Sequence, residues 1–167
     1  MPRRVVAALL TAGTALLLAG CGASESPEVT WTVGGTDRTV GPTQFCDMRM
    51  ENCSDDQSAQ VALPIPAGTE VKVAVPKEVS AAPWSVVFSY TAPDGTRTDG
   101  RSPIFTPNAQ QDYTLALPDP ADTLVTAQVQ LLGAAPGIDP ATGEVNFPTR
   151  GTWVLVADGA APPSTTP

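Results

Sequence analysis

Trp84-Ser85-Val86-Val87-Phe88-Ser89-Tyr90 is the stretch whose periodicity decides the fold. Large apolar residues stand at 84, 86, 88 and 90, with Ser85, Val87 and Ser89 between them. In an extended chain successive side chains point to opposite faces, so this spacing puts the aromatics and Val86 on one face; a helix would scatter them. The same period of two recurs on both sides. Upstream, Val29, Trp31 and Val33 alternate with Thr30 and Thr32 before a Gly34-Gly35 turn, and Val71, Val73 and Val75 alternate with Lys72 and Ala74. Downstream come Tyr113, Leu115 and Leu117, then Val125, Ala127, Val129 and Leu131 against Thr126, Gln128 and Gln130, and finally Trp153, Leu155 and Ala157.

Each run is of strand length, and the residues between them punctuate. Most of the 18 prolines and 14 glycines fall between the runs, as at Pro64, Pro66, Pro76, Pro83, Pro93-Asp94-Gly95, Pro118, Pro120, Pro136-Gly137, Pro140 and Pro148. Proline lacks the ladder donor and therefore marks strand ends and turns. No long segment carries a clean helical stripe. The expectation is all-β: a single antiparallel immunoglobulin/fibronectin-III-like sandwich of about seven strands over residues 29–157, with Trp84 in the core between the sheets. Residues 158–167 (DGAAPPSTTP) have no apolar pattern and read as a disordered tail.

The first residues do not belong to that fold. Arg3 and Arg4 precede fourteen uncharged residues, Val5 to Leu18, followed by Ala19, Gly20 and Cys21. The apolar run is short of the ~20 residues a membrane span needs and suits a cleaved signal peptide. A cysteine directly after two small residues makes Leu18-Ala19-Gly20-Cys21 a lipobox. Residues 1–20 then read as a lipoprotein signal peptide, Cys21 as the lipidation site bearing acyl chains such as palmitate, and 21–28 as a lipidated tether. Stable attachment takes two acyl chains, which a lipoprotein cysteine carries. The seven residues Gly22 to Glu28 reach at most ~25 Å. The localisation expected is the extracytoplasmic face of the cell membrane, lipid-anchored through Cys21.

Charge and composition exclude several functions. Removing the leader leaves seven basic residues against seventeen acidic ones, a net charge of −10. So acidic a chain argues against nucleic acid and against a basic patch for anionic headgroups. Histidine is absent from the sequence, which removes the commonest general base, the usual metal ligand and every Ser-His or Cys-His pairing. No catalytic residue, no cofactor and no metal site is expected, and the chain does not read as an enzyme.

With Cys21 lipidated, Cys46 and Cys53 remain, in a compartment where a disulfide persists. Met48 and Met50, the only methionines after the leader, lie between them. Two thiolates and two thioethers would be a soft set for Cu(I), but a disulfide consumes both thiolates. Asp47, Glu51, Asp55 and Asp56 lack the spacing and glycine of a helix-loop-helix calcium site. Asp94 and Asp99 around Gly95, and Asp119 and Asp122 in Pro118-Asp119-Pro120-Ala121-Asp122, read as turn carboxylates. A carboxylate hydrolase would need two acids converging in a cleft, and a lipid carrier a large apolar cavity. The three tryptophans read as core rather than as a sugar platform.

Five segments together resemble a family: Gln44-Phe45-Cys46-Asp47, Pro83-Trp84-Ser85-Val86-Val87-Phe88, Gly100-Arg101-Ser102-Pro103-Ile104-Phe105, Leu117-Pro118-Asp119-Pro120-Ala121-Asp122 and Phe147-Pro148-Thr149-Arg150-Gly151-Thr152-Trp153. The set is similar to the actinobacterial lipoproteins grouped as domain of unknown function 2771. The resemblance implies a lipoprotein of the cell envelope and transfers no active site. The expected role is a membrane-anchored binding or envelope accessory module for an envelope protein or ligand. Its contact surface is expected on loops at one end of the sandwich, including Cys46–Cys53 and Gly95 to Arg101.

Overall fold

The computed structural model describes residues 26–133, 136–138, 143 and 145–159. The leader, Cys21 and the tail beyond Gly159 lie outside the described residues. Among those described, the alternating runs form strands, and shorter strands join them. In chain order these are β1 (Val29–Val33), β2 (Thr36–Val40), β3 (Gln44–Phe45), β4 (Ser54–Asp55), β5 (Val61–Leu63), β6 (Val71–Ala74), β7 (Trp84–Thr91) and β8 (Arg97–Arg101). There follow β9 (Asp112–Leu115), β10 (Thr123–Leu132), β11 (Gly137–Ile138), β12 (Val145–Asn146) and β13 (Thr149–Ala157), with one short helix, α1 (Lys77–Ser80), between β6 and β7.

The smaller sheet runs β2-β1-β6-β9 and the larger β4-β3-β13-β10-β7-β8, while β5 pairs with the remaining length of β13. Seven of these strands make the expected frame. The order β1-β6-β9 against β8-β7-β10-β13 is the fibronectin-III arrangement, all neighbours antiparallel. Between the first and second frame strands the chain makes an excursion. It adds β2 to one sheet, then carries β3, β4 and β5 across to the open edge of β13 in the other. The β5–β13 pairing is parallel, unlike the ladders of the frame.

Local chemistry explains what the periodicity missed. Thr36-Asp37-Arg38-Thr39-Val40 has no apolar face because β2 is an exposed edge strand. It is held by the ladder and by side-chain bonds, Thr32 Oγ1 donating to Asp37 Oδ1 at 2.7 Å and a Thr30–Thr39 hydroxyl pair at 2.8 Å. Gly34 and Gly35 have φ of 56° and 82°, the left-handed pair that a tight two-residue hairpin requires. In β10 the register shifts between Leu124 and Thr126. This bulge lets Leu124 and Val125 both be buried before alternation resumes at Ala127.

The core lies between the sheets, and all three tryptophans are fully buried in it. Trp31 enters from the smaller sheet, Trp84 and Trp153 from the larger, packed with Val29, Val73, Val86, Val129 and Leu155. The Trp84 indole donates to the Gln110 carbonyl at 3.3 Å, and that of Trp153 to the Pro27 carbonyl at 2.9 Å. The Trp31 indole nitrogen is buried without a hydrogen-bond partner among the described residues, a defect of about 1–3 kcal/mol. Farther along β7, Phe88 is half-buried with its ring over Gly100 of β8. Ser89 is buried under Arg97, whose Nε donates to its hydroxyl at 2.7 Å.

Candidate functional site

A row of paired residues crosses the larger sheet at one end: Phe45, Gly151, Leu131, Trp84 and Phe105. Beyond it the sheet ends in the Leu132–Thr149 pair and gives way to connecting segments, while Ser102 to Ile104 run back along the edge of β7. From the β3 side come the Cys46–Cys53 loop, then the β11–β12 hairpin between β10 and β13, then Ser102 to Phe105 beside β7. The chain also enters here, because the first residue of β1 lies near the end of β6 and Pro27 is bonded to Trp153.

The cysteine loop is the tip of the β3–β4 hairpin, in which Phe45 pairs with Ser54, so Cys46 and Cys53 meet one step farther on and are joined by a disulfide. Cys46 is buried, and its amide donates to the Arg150 carbonyl at 2.7 Å. The root is fixed by Phe45, edge-on to Trp153 at 6.2 Å, with the Arg150 guanidinium 5.7 Å above the Phe45 ring. Gly151 permits this: a Cβ there would sit 3.1 Å from both rings.

Within the loop Asp47 is the organiser. Its Oδ1 accepts from the amides of Arg49 and Glu51, each at 2.9 Å, and its Oδ2 from the Asn52 side chain at 2.9 Å. These bonds, that to Glu51 first and that to Asn52 second, hold its carboxyl below the ordinary value. Met50 and Asn52 take left-handed φ of 62° and 48° to close the turn. Met48 is left projecting, 82% exposed.

The other acids behave as turn carboxylates. Asp56 caps a single 3-10 turn at Gln57–Ala59, accepting from the Ser58 amide at 2.9 Å, and Asp94 accepts from the Thr96 amide at 2.8 Å. Both are held below the ordinary value, Asp56 by the side chain and amide of Ser58 and Asp94 by the amide and side chain of Thr96. Asp122 is buried and accepts from the Asp119 amide at 3.0 Å, closing the turn before β10. Among the described residues no three cysteine or acidic side chains gather to hold a metal. The sulfurs of Cys46 and Cys53 bind each other, so a soft set at this loop reduces to the two thioethers.

The surface expected to unite Cys46–Cys53 with Gly95 to Arg101 needs correcting. The turn at Gly95 joins the far end of β7 to β8. β7 spans eight residues, so about 25 Å of strand separates the turn from the cysteine loop. The loop's companions are instead the β11–β12 hairpin and Ser102 to Phe105. The exposed large hydrophobic side chains among the described residues are Met48, Met50, Ile104, Ile138 and Phe147, and all five belong to these segments. Ile138, which lies outside any alternating run, was not foreseen as a site residue, and neither were Ile104 and Phe147. Their signal is an apolar side chain beside a proline (Pro103, Pro148), outside any alternating run. Two concavities elsewhere on the described surface are open: one on the outer polar face, lined by Val87, Ser89, Thr126 and Gln128, and one at the far end, between Ile65, Arg97, Leu124 and Ala157.

Fold and site together define a fibronectin-III-type sandwich with a disulfide-closed loop and an apolar rim at the end where its chain enters. The chain belongs to the family described as protein of unknown function DUF2771, whose model matches residues 22–158. An uncharacterised protein of Mycobacterium bovis and two of Mycobacterium tuberculosis are each 32% identical to it over 123 residues, covering 72% of this chain and 72% of each relative. No solved structure matches it.

Proposed function

We propose that the protein is a lipoprotein held by acyl chains on Cys21 to the extracytoplasmic face of the cell membrane. There it serves as a binding or envelope accessory module, without catalysis, cofactor or nucleic acid. The observation that carries the proposal is the lipobox Leu18-Ala19-Gly20-Cys21 set immediately before an all-β domain. The Trp153–Pro27 bond supports it. It takes the last residues of the expected tether into the domain, so that Cys21 reaches no more than about 20 Å from Pro27. A domain so close to its anchor is suited to work at the membrane rather than to sample the space around it. A non-catalytic role is supported by the lack of histidine and by carboxylates engaged in turns.

The test is mass spectrometry of the protein isolated from its own membranes, beside a Cys21→Ala variant. The expected result is an N-terminal Cys21 carrying acyl chains, and a variant that is released or left as uncleaved precursor. Unacylated Cys21 in the native protein, or unchanged acyl labelling of the variant, overturns the anchor. Crosslinking in the same membranes then identifies what the module touches.

A further inference from the structure

We infer that the disulfide-bearing end of the sandwich docks on the lipid bilayer, with Met48, Met50, Ile104, Ile138 and Phe147 entering the interfacial layer. The inference rests on the anchored reading above and adds an orientation and an occupant to it.

Three observations converge. First, the exposed large hydrophobic side chains among the described residues all sit at this one end, and Met48 and Ile138 are 82% and 72% exposed. They are carried by three segments that follow one another across β3, β13, β10 and β7, giving a rim about 15 Å wide at ordinary strand spacing. Grouped apolar exposure of this kind marks a contact surface, whereas scattered single residues do not.

Second, the chain enters at the same end. Pro27 is fixed to Trp153 close to the crossing row, and Cys21 lies six residues earlier. Trp153, which holds Pro27, pairs with Val129 of β10, so the strand from Val129 to Thr123, about 20 Å, and the Gly95 turn beyond it separate Pro27 from the far end, while the span from Cys21 to Pro27 is about 20 Å at full extension. Turning the domain over would raise Pro27 by more than the tether allows. Of the two ends, only the apolar one can lie flat on the bilayer.

Third, the charge points to lipid tails and the interface rather than to headgroup charge. The chain without its leader carries −10, so docking is apolar and insensitive to salt. The affinity required is small. A short flexible tether holds its cargo at millimolar effective concentration, so an interfacial contact too weak to recruit a free domain is largely occupied in a tethered one. The loop is also built to present its apolar residue. The disulfide and the Asp47 bonds fix the turn, so Met48 projects with little ordering left to lose on contact.

The experiment uses the full lipidated protein, purified from membranes and reconstituted in phosphatidylcholine vesicles whose acyl chains are brominated. Acylation occupies Cys21 and the disulfide occupies Cys46 and Cys53, so Met48→Cys, Ile138→Cys and Thr96→Cys each introduce one free thiol for an environment-sensitive fluorophore. Thr96 lies in the turn at the opposite end. Brominated lipid is expected to quench the labels at 48 and 138 but not at 96. Aqueous iodide should quench those two roughly threefold less than the label at 96, at low and high salt alike. Equal iodide quenching at all three positions, with the protein still floating with the vesicles, overturns the docking and leaves the anchor standing. Shielding at 48 and 138 without quenching by brominated lipid overturns it in favour of a protein neighbour, such as a second copy. Loss of flotation with Cys21 bare defeats the anchor itself, and the docking with it.

Discussion

Removing the Cys46–Cys53 bond tests whether the candidate site is a built part of the fold or an appendage. The bond closes a loop of eight residues. In the chain-entropy description, constraint of the unfolded state over such a loop stabilises the native state by about 2.5 kcal/mol. That figure is realised only if the loop is ordered in the native state without the bond, since otherwise the constraint acts equally on both states. The structure argues for order: the Cys46 amide is bonded to Arg150, and Asp47 holds two amides and the Asn52 side chain. For about 130 folded residues the unfolding entropy is about 0.28 kcal/mol per kelvin, so Cys46→Ala/Cys53→Ala should lower the melting temperature by about 9 °C. The assay is thermal unfolding followed by circular dichroism, with hydrogen exchange at Arg49 and Glu51 to report whether the loop stays closed. A drop of less than about 2 °C with those amides unprotected would refute the reasoning, because the loop would then be an appendage held by the bond alone.

Other consequences are equally direct. Gly100→Ala would drive a Cβ into the Phe88 ring; it should cost about 1–3 kcal/mol in urea unfolding, and Phe88→Ala in the same chain should relieve part of that cost. Trp153→Phe removes a donor from the Pro27 carbonyl, whereas Trp31→Phe removes an indole N–H that has no partner among the described residues. Denaturant melts should therefore find Trp153→Phe the more damaging by about 1–2 kcal/mol, and equal losses would argue against the Pro27 bond. Asp47 has a lowered carboxyl pKa in the folded state, chiefly through the Glu51 amide. Its contribution is present above the unfolded value and fades as pH falls through the lowered folded one. An NMR titration of its carboxyl should find a midpoint below 3.8, with the Arg49 and Glu51 amide shifts following it; a midpoint at or above 3.8 would sink the assignment.

How much of this was legible before folding depends on the range of the interaction concerned. Period-two alternation is a property of adjacent residues, so β1, β6, β7, β9, β10 and β13 could be read directly, along with the glycines of the first hairpin. β2 could not, because both of its faces are wet and its stability comes from a neighbour's ladder. β3, β4 and β5 are two or three residues long, too short for any period; β3 and β5 exist because β13 offers them an unpaired edge, and β4 because β3 does. The disulfide followed from cysteine arithmetic, but its position at the tip of a hairpin did not.

By itself the sequence determined an all-β sandwich, a buried set of three tryptophans and the Cys46–Cys53 pair. Which loops share an end was decided only by the tertiary structure. Alternation says which face a side chain takes but carries no information about strand direction or register. Those are set by pairings between residues as far apart as Phe45 and Gly151. That long-range register placed Gly95 at the end opposite the cysteine loop, and brought Ile104, Ile138 and Phe147 to the end where the chain enters.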